Sequence, residues 1–436
     1  MSVAAIDHCA DRDVVGVARV GGESGRLLAG PSGAHAELLV SHLDRLGPLD
    51  ARGRSAGELR ALIREAGIVG RGGGEFPLSR KLDRATLTSG TPLVIVNASE
   101  SEPASRKDAT LLSRRPHLVL DGAEIVASAV CARDVIIYLH SGDVANRVRH
   151  AVHERHGPSS TRFHLVLAPD RYVAGEASAV VSFLTSGVAL PQFRTASTAA
   201  PVVSGRPTVL SNTETYAHVA LLARHGAQWF RACGSKEVPG STLVTLAGAV
   251  PQPGLVLEMV GPITFGEVLG DEAGVDRKPR AILVGGYAGT WIDGAAAWSA
   301  TIDRHWLRQA GAPLGCGLVA VLGHEQCGLA ETSRLLSWMA NQSSGQCGPC
   351  VSGLPAIAAL AHDLAIGVAT RRDVVRLRQL AVSVRGRGAC GHPTGTAMLL
   401  ESALEIFEPE THAHLKGRSC HARGTGLPLM TDRHLS

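Results

Sequence analysis

At 436 residues, with 45% hydrophobic and 19% charged residues, the chain is too long for one ordinary core and too apolar to be disordered. Its formal net charge of +4 is spread without a basic stripe or a run of like charges, which argues against nucleic acid as a partner. No apolar run approaches the roughly 20 residues that span a bilayer, and acidic residues stand where a secretion signal would be basic, so a cytoplasmic protein is expected.

In chain order, residues 36–46, AELLVSHLDRL, carry helical Leu and Val spacing, and 56–67, AGELRALIREAG, predict a helix ending at glycine. A glycine-rich loop fills 67–81. Residues 92–103, PLVIVNASESEP, run a buried strand into a polar turn, LDGAEIVASAVCA reads as a helix, and DVIIYLHS as another strand. A helix over 144–156, the strand RFHLVLAP and the helix-like GEASAVVSFLTSG follow. Strands alternating with helices predict βαβ units and a parallel sheet covered by helices, a Rossmann-like α/β domain over 56–235 behind an N-terminal extension, 1–55.

After about residue 235 the pattern changes. Residues 241–260 read as two short strands across a Pro/Gly turn, TFGEVLG as one small helix and RAILVGG as a strand, a small β-grasp-like domain over 236–312. Helical patterns at 328–341, 354–370, 373–384 and 394–407, the last two capped by Asp373 and Thr394, predict a C-terminal four-helix bundle over 325–410. A polar tail, 411–436, is expected to run extended over the surface. Cys347, Cys350 and Cys390 fall in the connections of the bundle.

Four stretches look like ligand sites. In GIVGRGGGEFPLSRK, Gly70, Gly72 and Gly73 strip side chains from a turn while Arg71 and Lys81 supply positive charge, so a phosphate cradle and a plain flexible loop are both open. The dinucleotide fingerprint is incomplete, with Glu75 at its last position and a helix instead of a strand before it. In NASESEPASRKD, at a strand's carboxyl end, Asn97, Ser99, Glu100 and Glu102 can address a ligand, or form a solvated acidic turn. YVAGEASAV sets Tyr172, Gly175 and Glu176 at a strand-to-helix junction, and GRPTVLSNTET places Asn212 after an apolar run.

Taken together and in order, these motifs and SSGQCGPC at 343–350 resemble the family of FMN-binding, NADH-oxidising subunits of respiratory complex I, the F-type subunits of NADH-quinone oxidoreductase, with their relatives in bacterial hydrogenases and formate dehydrogenases. The likeness covers roughly residues 55–410. It implies that the first four motifs enclose FMN, that Glu102 and Phe76 serve NADH or NADPH, with Glu102 as the catalytic residue, that the β-grasp unit is an SLBB domain, and that the bundle binds an iron-sulfur cluster. It also implies a ferredoxin or thioredoxin-fold 2Fe-2S partner protein, and membrane association only through other subunits. The function it implies is passage of electrons from NAD(P)H through FMN and the cluster to a ferredoxin-like or quinone-reductase partner. The alternatives are an FMN and iron-sulfur carrier that uses no nicotinamide, and a scaffold that has lost its cofactors.

This chain departs from the family pattern at Glu75, Ser99 and Ala177. A carboxylate lost at 177 would weaken discrimination against a 2′-phosphate. Arg84 stands where a second aromatic would flank the adenine, and 194–201, RTASTAAP, has no ring where the family has a third. The cluster motif has Ser344 where a first cysteine belongs, beside Cys347, Cys350 and Cys390. A 4Fe-4S cluster with Ser344, His392 or an external fourth ligand, a 3Fe-4S form, and a zinc or empty site compete, and retention of three motif thiols favours the first. Cys9, Cys131, Cys233, Cys316, Cys327 and Cys420 read as small buried hydrophobes.

Overall fold

The computed structural model describes residues 17–20, 25–31, 35–49, 53–140, 142–155, 161–193, 200–418 and 426–429. Cys9, Cys420 and most of the 194–201 segment lie outside them. Strand β1 (Val17–Val20) and helix α1 (Leu39–Leu46) come first, then α2 (Ala56–Ala66), started by a reciprocal Ser55/Glu58 cap and stopped by Gly67 in the left-handed region. After the glycine loop come α3 (Leu78–Leu87), β2 (Leu93–Ala98), α4 (Lys107–Arg114), α5 (Pro116–Ala129), β3 (Asp134–Leu139), α6 (Asp143–Glu154) and β4 (Arg162–Leu167). A single helical turn, Tyr172–Gly175, leads into α7 (Ala177–Ser186), then β5 (Val202–Val203), β6 (Arg206–Asn212) and α8 (Thr213–Arg231). Helices α3, α4 and α8 have no counterpart among the elements expected from the sequence.

These strands form a five-stranded sheet in the order β4-β3-β2-β6-β5, parallel except for the short edge strand β5. The alternation along β2 explains its two covered faces. Val94 and Val96 join the core under α2, α5 and α8, while Leu93 and Ile95 meet Val180 of α7 on the other side. Helices α5 and α8 approach so closely that a Cβ on Gly122 would lie 1.7 Å from the Tyr216 carbonyl oxygen.

The second sheet is built from β7 (Thr242–Gly248), β8 (Val256–Met259), β9 (Ala281–Val284), β10 (Thr290–Asp293) and, after the short helices α9 (Gly294–Ala297) and α10 (Arg304–Gln309), β11 (Leu318–Leu322). Its order is β1-β8-β7-β11-β9-β10. The N-terminal segment is therefore part of this sheet, with β1 running parallel to β8. Glu258, fully buried on β8, anchors it by accepting the amides of Arg26, Leu27 and Leu28 and the Ser241 hydroxyl.

One face of this sheet, Leu283 with Leu318, Ala320 and Leu322, packs on a helical layer: α11 (Gly328–Asn341), α12 (Leu354–Ala365), α13 (Arg371–Val384) and α14 (His392–Ile406). The caps differ from expectation. Thr370 caps α13 with Asp373 reaching back to it, and α14 begins at His392 while Thr394 accepts the Gly386 amide. Where an extended tail was expected, α15 (Glu408–His414) closes the layer, its Glu410 accepting the amide at the start of α11.

Candidate functional site

The glycine loop folds back on itself, with the Gly70 amide bonded to the Phe76 carbonyl at 3.0 Å. Gly72 lies so close over Asn212 that a Cβ would come within 3.3 Å of its Cβ, and Gly73, over Gly315, has a φ of +100° that disfavours other residues. Arg71 turns its guanidinium into the fold. Its guanidinium is buried and donates to the Pro239 carbonyl at 2.6 Å and Thr242 Oγ1 at 3.3 Å, bolting the loop to β7, and burial pulls its pKa down to about 10. Lys81 reaches the Leu210 carbonyl at 2.8 Å, near the carboxyl end of β6. Glu75, at φ 44°, turns its buried carboxylate to Arg304 at 3.2 Å and Arg308 at 2.5 Å.

At the carboxyl end of β2 the expected residues do converge. Asn97 Nδ2 donates to the Gly175 carbonyl at 2.8 Å, and Ser99 Oγ donates to Asn97 Oδ1 at 2.7 Å. A Cβ on Gly175 would meet Ser101 Oγ at 2.7 Å and the Ser99 carbonyl at 3.0 Å, so glycine is required there by contact. The two flanking carboxylates, expected at FMN, each also hold a helix start in place. Glu100 accepts the Asp108 and Ala109 amides at the start of α4 and the Ser105 hydroxyl, while Glu176 caps α7 through the Ser178 and Ala179 amides.

Asn212 joins a buried polar cluster that the sequence did not reveal. Its side chain accepts from Lys107 Nζ at 3.0 Å and from the Glu214 amide, and donates to Asp108 Oδ2 at 2.6 Å. Lys107 is paired with Asp108 at 2.9 Å and Glu214 at 3.1 Å. Burial would discharge Lys107, but the carboxylates of Asp108, Glu214 and Glu100 outweigh it and raise its pKa. Burial lifts Asp108 to about 6 despite the ammonium beside it, whereas Lys107, Arg304 and Arg71 together overcome burial to lower Glu214. The consecutive Arg-Lys-Asp after the polar turn was the available signal. Its partner Glu214, over a hundred positions away, gave none.

Glu102 points the other way, toward the second sheet. Its Oε2 accepts the Tyr287 amide at 3.0 Å and the Tyr172 hydroxyl at 3.3 Å, and lies where a Cβ on Gly286 would come within 2.5 Å. Burial and this carboxylate push the Tyr172 phenol well above its ordinary pKa. Cys316, beside them, is half-buried and its thiol is likewise raised by burial and Glu102. Phe76 is half-exposed, with the Arg84 guanidinium 4.8 Å from its ring centroid.

The cysteine loop rests on this region. Gln342 accepts the Tyr172 amide, Arg171 donates to the Ser343 carbonyl, and Gln346 donates to the Pro191 carbonyl. Burial and the neighbouring Cys347 raise the Cys350 thiol, against the nearby Ser344 hydroxyl, which lowers it. Cys390 is raised to about 11 by burial, with Glu176, Cys350 and Cys347 close enough to add to the shift. His392 commits Nε2 to the Met339 carbonyl at 2.8 Å and stacks near Tyr172, leaving Nδ1 buried and unpaired. Among the described residues, no group of three or more His, Cys, Asp or Glu side chains is arranged to hold a metal ion. Thiolates that serve a cubane sit on different irons and need not converge on one point. Of the other cysteines, Cys233 and Cys327 are buried as expected, and Cys131 is exposed.

A model of the Nuo51 FMN-binding domain matches residues 63–221, and one of the NADH-ubiquinone oxidoreductase-F iron-sulfur binding region matches 330–414. The NADH-quinone oxidoreductase F-subunit 2 of Rhizobium meliloti is 29% identical over 380 residues, covering 83% of this chain and 90% of its own. The corresponding F-subunit of Escherichia coli is 29% identical over 383 residues, covering 84% and 86%. A chain of the NAD+-reducing [NiFe]-hydrogenase in its air-oxidized state superposes with a TM-score of 0.78 at 26% identity, over 88% of this chain and 67% of that one.

Proposed function

The chain belongs to the family of F-subunits of NADH-quinone oxidoreductases, and on that premise we propose that it is an oxidoreductase subunit passing electrons from NADH or NADPH, by way of FMN and an iron-sulfur cluster, to a partner protein. The reading rests chiefly on the convergence of Asn97, Ser99, Gly175 and Asn212 under the glycine loop, at the carboxyl ends of β2 and β6. The absence of side chains at Gly72 and Gly175 lets the loop pack on Asn212 and the single turn on Ser99 and Ser101, which sets the polar groups of the cradle side by side. FMN bound there would supply hydride acceptance and release of single electrons. The glycine amides, the start of α8 and Lys81 would hold its phosphate, while Asn97, Ser99 and Asn212 present donors and acceptors to the remainder.

Glu102 and Phe76 are the residues proposed to meet the nicotinamide nucleotide. Glu102 is pre-oriented by Tyr172 and Tyr287, and Phe76 with Arg84 offers a ring and a cation for the adenosine end. The second sheet, with residues 236–312 as its main part, is proposed to be the SLBB β-grasp unit, and 325–410 the iron-sulfur helical bundle. Three thiols and the Ser344 hydroxyl, from the 343–350 loop and from the segment before α14, form a donor set that fits a cluster with one oxygen ligand. A ferredoxin or thioredoxin-fold 2Fe-2S protein is the proposed partner, in the cytoplasm. Among the described residues no helix is long and apolar enough to cross a membrane, so attachment to one is assigned to other subunits.

The test is an anaerobic visible and EPR spectrum of the purified chain, with flavin and iron quantified, before and after NADH and then NADPH. Flavin and iron with bleaching by either nucleotide is the expected result. Cofactors present but reduced by neither would overturn nicotinamide use, and a colourless protein would overturn the whole reading.

A further inference from the structure

Helix α13 is the most basic element of the helical layer. Between 371 and 387 the chain carries Arg371, Arg372, Arg376, Arg378, Arg385 and Arg387, against Asp373 alone. That one carboxylate is spent on capping, accepting the Thr370 amide and hydroxyl. Arg385 pairs with Glu401, whereas Arg371, Arg372 and Arg376 are exposed and lie within salt-bridge distance of no described carboxylate.

The same face carries apolar surface. Leu377, Ala381 and Val384 point into the core, one seven-residue step apart for the outer pair, and the opposite side therefore faces water. There Val375 and Val382, also seven apart, are 55% and 69% exposed, and Val351 on the neighbouring turn is 60% exposed. Large apolar side chains framed by unpaired arginines have the composition of an interface, an apolar centre within a charged rim.

Its position ties it to the thiols. The turn Pro349–Gly353, which carries Cys350, packs against α13, with Gly353 so near Val384 that a Cβ would lie 2.4 Å from its Cγ1. The chain leaving α13 passes Arg387 and reaches Cys390 three residues later. The helix that bears the basic face thus packs, through its inner side, on one cysteine segment and leads directly into the other.

We propose that the exposed face of α13 docks an acidic electron-carrier protein, whose redox centre is brought to the cysteine loop. The inference rests on the function proposed above. A cluster held by the cysteine segments would give up one electron and the oxidised iron of the carrier would gain it, with NAD(P)H as the ultimate donor. Arginine is suited to carboxylate-rich surfaces because its planar fork grips them bidentately. Complementary charge of this kind raises the encounter rate, and small contact areas suit carriers that must leave again.

The experiment titrates the full chain with an acidic plant-type 2Fe-2S ferredoxin, with basic cytochrome c and phosphatidylserine vesicles as counter-probes, at low and high salt. The wild type should bind the ferredoxin and not the cytochrome, with affinity falling as salt rises. Arg372→Glu with Arg376→Glu should weaken ferredoxin binding at least 10-fold while flavin and iron content stay unchanged. Ferredoxin binding indifferent to the double substitution and to salt would overturn the proposal, as would binding to the vesicles alone. Flavin and iron are assayed on the same wild-type sample. Their absence would sink the proposed function, while the salt and charge-reversal titrations still decide the docking face.

Discussion

Glu75 Oε1 and Arg304 Nη1 stand 3.2 Å apart, both side chains almost wholly buried, and join the glycine loop of the first module to α10 of the second. The relationship accounts for a residue that looks misplaced in the sequence. A glutamate in a glycine turn should obstruct a ligand, yet here the left-handed backbone at Glu75 swings the carboxylate away, into Arg304 and Arg308. Glu75→Gln should cost about 3 kcal/mol, since breaking a buried pair strands its cation. Glu75→Gly would relieve the positive-φ strain, worth about 1 kcal/mol, and still leave Arg304 unmatched, so it too should be destabilised. Urea unfolding of both variants checks this, and two curves that overlay the wild type would refute the clamp.

Acid should loosen the fold through His117. Its Nε2 meets Glu154 at 2.8 Å and its Nδ1 accepts from Arg155 at 3.1 Å, a neutral ring in a buried site. Burial first, and Arg155 second, lower its pKa to about 4. The folded state therefore binds this proton less readily than the unfolded state, whose histidine titrates near 6.5. Stability from this group is complete above about pH 6.5 and is lost as pH falls toward 4. His117→Gln should flatten the stability profile in that window, measured by denaturant midpoints between the two values. An unchanged slope would assign the acid sensitivity to other groups.

The parallel sheet and the glycine stop of α2 were legible because their signals are local. The apolar run 93–96 and the stop at Gly67 need only neighbouring residues. What escaped was set by distant pairing. The N-terminal strand pairs with β8, Glu258 on β8 holds residues 26–28 more than 200 positions away, and nothing near either end announces the match. Glu100 and Glu176 were expected at the ligand from the family's motifs. Both also cap helices, α4, which the apolar pattern did not mark, and α7, which it did. Arg71 followed the same course, since the sequence placed its cation in the loop and only the fold shows the guanidinium turned to Pro239.

Ser344 sets a prediction about iron. If its oxygen completes the ligand set, the anaerobically reconstituted wild type and Ser344→Cys should both hold about four irons per chain, the number in a cubane. Ser344→Ala should fall to about three and show the signal of a three-iron cluster when oxidised, with its fold intact by circular dichroism. The same iron count and spectrum in all three would remove Ser344 from the ligand set. Its hydroxyl would then serve only its contact with Cys350.

Gly175→Ala tests the cradle by contact instead of by charge. The new methyl carbon would lie 2.7 Å from Ser101 Oγ and 3.0 Å from the Ser99 carbonyl, and φ at this position is ordinary, so the cost is crowding and not strain. Overpacking of this kind costs about 1–3 kcal/mol, and the 97–101 segment that must yield is the one offering Asn97 and Ser99 to the ligand. FMN affinity, read by flavin fluorescence, should drop at least 10-fold while the melting transition remains cooperative. Adding Ser101→Ala removes the nearer of the two clashing atoms but leaves the backbone carbonyl, so the double variant should recover only part of the affinity. Full flavin binding by Gly175→Ala alone would mean that the cradle does not touch the cofactor, because the crowded atoms belong to Ser99 and Ser101 and the Gly175 carbonyl holds Asn97.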